Sequence, residues 1–104
     1  MNIRFFDSQL ENFIYSLDKA TFAKVLRTID LLEMFGNQLT LPHSKKVQAR
    51  LFELRILGKQ QVRIFYTFHK EEAFLLNDFV KKSNRIPKKE LSLAIQKLKT
   101  LDAL

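Results

Sequence analysis

The spacing of hydrophobic residues changes along the chain. Asn2–Phe6 predicts a short first strand. Leu10, Phe13, Ile14 and Leu17 then recur at helical spacing, a single apolar stripe. Ser8 and Glu11 stand three apart at its start, the spacing of a capping box. Phe22, Val25, Leu26, Ile29 and Leu32 line one face of a second helix. Asp18 or Thr21 can cap it, and Gly36-Asn37 ends it. Almost no chain separates the two stripes, so they predict a helical hairpin.

From Leu51 the period shortens to two. Leu51–Leu57 sets Phe52, Leu54 and Ile56 on one face and Glu53 and Arg55 on the other. Gly58-Lys59-Gln60 turns the chain. Gln61–His69 sets Val62, Ile64, Tyr66 and Phe68 against Arg63, Phe65 and Thr67. Lys70-Glu71-Glu72 turns it again, and Ala73–Val80 is a nearly continuous apolar run. These runs predict an antiparallel meander of three strands. The third should be central and covered on both faces, because it has little polar surface to show. Pro87 suits the first turn of a last helix, striped by Leu91, Ala94, Ile95, Leu98 and Leu101. The order is β-α-α-β-β-β-α, an α+β class with the hairpin packed on a small antiparallel sheet.

With 104 residues the chain is read as one domain, 1–104. Ten Phe supply material for a core, and the absence of Cys removes disulfides and thiolate chemistry. No apolar run approaches a membrane span, and the start lacks a signal peptide's apolar stretch. A cytoplasmic protein with no membrane partner is expected. With two His, no Cys and no acid pair at ligand spacing, no metal or other cofactor is expected.

Charge adds a functional direction. Residues 1–35 hold four Lys and Arg against five acids, whereas residues 36–104 hold fourteen against six. A basic protein with its charge in one part suggests a polyanion partner. Arg63 lies within an apolar strand and must reach water or a partner. Read as a residue on the strand's polar face, it should be replaceable by Ala with the fold intact. Arg55 and Glu53 fall on that same face. Lys45, Lys46 and Arg50 precede the strands, and Lys81, Lys82, Arg85, Lys88 and Lys89 follow with no acid among them. Cations from a strand face and both flanking segments can converge on an anion. His43 sits beside Lys45, a candidate general base or acid. His69 is expected to be a solvated turn residue, and Tyr66 a core tyrosine.

Leu41-Pro42-His43-Ser44-Lys45-Lys46-Val47, Leu51-Phe52-Glu53-Leu54-Arg55, Val62-Arg63-Ile64-Phe65-Tyr66 and Phe79-Val80-Lys81-Lys82-Ser83 with Pro87 carry a resemblance. Spaced in this way, they resemble the RelE/HigB superfamily of bacterial toxin–antitoxin systems, most closely its phage-derived HigB-like branch. The resemblance implies a helical hairpin on a curved antiparallel sheet. It also implies an mRNA interferase, a ribosome-dependent endonuclease that inhibits translation. The implied partners are the ribosome, mRNA and a cognate antitoxin, either a helix-turn-helix protein or an acidic one. Arg63 corresponds to the arginine that contacts the scissile phosphate, and Lys81 and Lys82 to the basic pair ending the last strand. With His43 these are the expected catalytic residues. Lys45, Lys46, Arg50, Arg55, Arg85 and Lys88 are expected to bind RNA. The C-terminal Tyr or His of many relatives is missing from Lys99-Thr100-Leu101-Asp102-Ala103-Leu104.

Two other classes stay open. A ParE-like toxin shares the implied fold but inhibits DNA gyrase by protein contact, without nuclease activity, and has no need of a convergent phosphate pocket. A non-catalytic nucleic-acid-binding module would interleave exposed aromatics with cations. Most Phe here fall at core phase, with Phe65 the main exception.

Overall fold

The computed structural model describes residues Met1–Leu104. Its elements are β1 (Asn2–Phe5), α1 (Ser8–Tyr15), α2 (Lys19–Phe35), a short 3-10 turn (Gly36–Gln38), β2 (Ser44–Gln48), β3 (Leu51–Ile56), β4 (Val62–His69), β5 (Glu72–Val80) and α3 (Lys88–Asp102). The α+β class holds: three helices pack on an open five-stranded sheet of order β1-β5-β4-β3-β2.

The sheet departs from expectation in two ways. It is mixed, because β1 runs parallel to β5, from Asn2 opposite Glu72 to Phe5 opposite Leu75. The chain leaves β1 through the hairpin, starts again at the far edge and meanders back. β5, antiparallel to β4, thereby arrives beside β1 with the same direction. β2 is an additional strand that the apolar period does not reveal. Its sequence SKKVQ has one apolar residue, and exposed lysines are typical of an edge strand guarded against unwanted pairing. Buried Ser44 points inward and joins its hydroxyl to that of Tyr66, at full burial in the core.

Local signals set most helix ends. Asp7, and not Ser8, caps α1: its extended backbone lets Oδ1 accept from Gln9 N at 3.1 Å, so Ser8 becomes the first helical residue. Asp18 caps α2, accepting from Thr21 N at 3.3 Å and from Thr21 Oγ1 at 2.7 Å. Gly36 ends it at φ +55, a backbone conformation that favours glycine. Pro87 stands at the N-cap of α3, one residue outside the helix, and its carbonyl accepts from Leu91 N at 3.0 Å.

Two apolar layers sandwich the sheet. Leu10 and Ile14 of α1 and Val25 and Leu32 of α2 pack on Leu54, Ile56, Val62, Ile64, Tyr66, Ala73 and Leu75. On the other face Ala94 and Leu101 of α3 cover Leu51, Phe65, Leu76 and Phe79. Phe65 is therefore at 0% exposure, not an exposed aromatic: α3 covers the face that its phase points to. β5 is covered on both sides, as its apolar run predicts. A bulge helps, since Phe65 pairs with Asn77 and Tyr66 with Leu75, leaving Leu76 as the extra residue. Lys97 of α3 ties down this bulge, donating to Leu76 O at 2.9 Å and reaching Asp7 Oδ2 at 3.1 Å. His69 is not a solvated turn residue. It packs edge-on against Phe74, with Nδ1 3.7 Å from Asp102 Oδ1. No helix is long and apolar enough to cross a membrane.

Candidate functional site

The meander puts Arg55 of β3 directly opposite Arg63 of β4. Like charges in that relation repel. Glu53, two residues earlier on the same face of β3, answers them. Its Oε1 stands 3.2 Å from Arg63 Nε and 3.5 Å from Arg55 Nε. Both contacts are charge contacts only, since neither Nε is aligned for a hydrogen bond. Arg63 Nη1 donates to Val62 O at 3.2 Å and Nη2 to Gln61 Oε1 at 3.1 Å.

The Arg63 side chain is 2% exposed and that of Arg55 25%. This corrects the reading of Arg63 as an open polar-face residue: it is a buried floor group whose guanidinium is already engaged. Burial lowers its pKa, Glu53 opposes that shift, and Arg55 adds to it. Arg55, at the surface, is freer to meet a ligand.

The end of β5 completes the site. Lys81 N donates to Gln61 O at 2.8 Å, so the chain is still held against β4 as it leaves the strand. An open hollow of about 400 Å³ is lined there by Arg55, Gln61, Arg63, Lys81, Lys82, Ser83 and Asn84, without one apolar side chain. A second hollow shares Arg55, Lys81 and Asn84 and adds Lys45, Lys46, Val47, Glu53 and Ile86. Three of the four expected catalytic residues, Arg63, Lys81 and Lys82, thus meet, with Lys45, Lys46 and Arg55 beside them.

Four expected residues do not line these hollows. His43 lines a separate one with Lys24, Arg27, Thr28 and Leu57, although its carbonyl accepts from Arg55 N at 2.8 Å. Arg50, in the β2–β3 turn at φ +64, pairs through Nη1 with Asp102 Oδ2 at 2.6 Å, and that carboxylate raises its pKa. Arg85, on the segment leading into α3, and Lys88, the first residue of that helix, are both exposed, and Arg85 N donates to Ser83 Oγ at 3.3 Å.

Gln61, Ser83 and Asn84 line the site and had no signal beyond lying in polar turns beside the cations. No three His, Cys, Asp or Glu side chains come together as metal ligands. An apolar hollow on the hairpin side, lined by Phe5, Ile14, Tyr15, Phe22, Leu26 and Ile29 with Glu11 at its rim, has no cation to hold an anion.

Fold and site together define a small basic α+β protein with a cation-lined hollow at one end of its sheet. Residues 12–99, well over half of the chain, match the family described as phage derived protein Gp49-like (DUF891). The chain belongs to this Gp49-like family. No curated protein matches it.

Proposed function

We propose that this chain is the toxin of a type II toxin–antitoxin system and an endoribonuclease that cuts mRNA on the ribosome, as its likeness to the RelE/HigB superfamily implies. One observation carries the proposal: Arg55, Arg63, Lys81 and Lys82 surround a single open hollow. Glu53 holds the floor arginine and leaves the rim lysines to answer an incoming phosphodiester.

The 2′-hydroxyl oxygen attacks the adjacent phosphorus, giving up its proton to solvent water in the open hollow, as the bond to the 5′-oxygen breaks. The products are a 2′,3′-cyclic phosphate and a 5′-hydroxyl end. Negative charge grows on the phosphorane oxygens, where a fixed donor is worth roughly 3–4 kcal/mol. Arg55 and the rim lysines would supply such donors, and the Lys81 or Lys82 ammonium would protonate the leaving oxygen. The reaction draws on the chain's own cations. An antitoxin bearing an acidic segment would cover the same hollow, guided by the excess of cations in residues 36–104.

The test is expression of the chain alone, followed by mapping of mRNA ends on stalled ribosomes. Growth arrest with new mRNA ends, both abolished in a Lys81→Ala/Lys82→Ala variant, is expected. Normal growth at a verified level of folded protein overturns the toxin reading. Arrest with intact mRNA overturns the nuclease and points to a gyrase-inhibiting toxin of the ParE type.

A further inference from the structure

His43 stands apart from the cation-lined hollow, but its surroundings are not bland. It shares a separate hollow with Lys24, Arg27, Thr28 and Leu57, on the side of the hairpin. Lys24 and Arg27 are exposed three residues apart on α2, so they project from the same face. Neither is paired with a carboxylate. The hydroxyl of Thr28 is turned back to Lys24 O at 2.7 Å and leaves both cations free.

Gly58 gives this hollow a built feature. A methyl group on Gly58 would stand 2.7 Å from Lys24 Nζ, 3.0 Å from Cδ and 3.4 Å from Cε. The lysine stem therefore lies along bare backbone at the β3–β4 turn, in space that a side chain at position 58 would contest. The two cation groups flank one strand. Arg55 of β3 lines the hollow at the end of β5, and its N–H donates to the carbonyl of His43, which lines the hollow shared with Lys24 and Arg27. A single small anion fills one hollow, whereas occupying both takes a ligand with repeated anionic groups, such as a polymer of phosphates.

We propose that Lys24, Arg27 and His43 form a second phosphate-binding site that takes the backbone of the RNA engaged by the first hollow. The choice of RNA rests on the function proposed above. Lys24 and Arg27 supply charge, and the imidazole supplies an N–H donor in either protonation state. This site touches no reacting atom; it adds affinity and orients the RNA.

Binding of an uncleavable 2′-O-methyl RNA oligonucleotide to the full chain, measured against salt concentration, tests it. Each phosphate contact on a single strand contributes about 0.7 to the slope of log affinity against log salt. Lys24→Ala/Arg27→Ala should lower that slope by about 1.4 without changing the melting temperature. Lys19→Ala, an exposed lysine of the same helix outside the hollow, should leave it unchanged. Gly58→Ala should lower it by about 0.7 by displacing Lys24, and should add nothing to Lys24→Ala.

A double variant with the wild-type slope overturns the site, as does an equal loss in Lys19→Ala. Lys81→Ala/Lys82→Ala separates the two readings. If that variant alone loses binding, the second site falls and the first stands. If only Lys24→Ala/Arg27→Ala loses binding, the RNA reading of the first hollow falls and the second site stands. A wild-type chain that binds no RNA overturns both.

Discussion

Glu53 Oε1 stands 3.2 Å from the Nε of Arg63, and both side chains are withdrawn from water. Arg55 faces Arg63 across the strand pair, so this one carboxylate sits between two guanidiniums. A charge buried with its partner is costly to strand: breaking such a pair from one side loses about 3–5 kcal/mol.

Arg63→Ala should therefore lose about 3 kcal/mol of stability or more, since it leaves Glu53 buried with only the half-open Arg55 for a partner. Urea denaturation reads the change directly. A midpoint equal to that of the wild type would return Arg63 to the open polar face that its strand phase suggests.

Lys81 and Lys82 are better probes of chemistry because little of the fold rests on their side chains. Each Lys→Ala change should shift stability by about 0.5 kcal/mol or less. If the proposed nuclease reading holds, loss of a transition-state donor slows single-turnover cleavage on programmed ribosomes by roughly 10²–10³-fold for at least one of them. Wild-type rates in both variants would take the rim lysines out of the reaction.

Asp78 makes stability depend on pH in an unusual direction. Burial and the charge of Glu90 raise its pKa to about 6 from 3.8, against its own backbone N–H and Lys97, which lower it. The folded state thus holds a proton that the unfolded state has lost between these values. Stability should be fullest below the unfolded value and fall as pH rises through about 6, by up to about 3 kcal/mol. Asp18 and Asp102 act oppositely. Thr21 lowers the first and Arg50 the second, so their support is lost as pH falls below the usual carboxylate range. Asp78→Asn should flatten the curve between about pH 4 and 6 and leave the acid limb in place. An unchanged slope in melts across that range would refute this assignment.

Phe65→Ala should cost about 3–5 kcal/mol, as a fully buried aromatic does. The loss should loosen α3, visible as faster amide exchange in residues 88–102. A loss of less than about 1 kcal/mol would mean that α3 does not cover this face.

Sequence alone determined what each stretch does locally. The apolar stripes marked α1, α2 and α3, the alternation marked β3 and β4, and the apolar run marked β5 as buried on both sides. Side-chain phase also put Glu53, Arg55 and Arg63 on one face, and chain order brought Lys81 and Lys82 to its edge. Tertiary structure decided what lies above each face. Phase says which way Phe65 and Arg63 point; only the path of α3 and the placement of Glu53 bury them. β2 leaves no mark in the apolar period because it pairs through its backbone, which no side-chain pattern records. His43 and Lys45 are neighbours in the chain, yet His43 belongs with Lys24 and Arg27, brought to it by a helix of remote sequence. Local periodicity is set by the geometry of one element, whereas burial and the company a charge keeps are set by contacts between elements far apart in the chain.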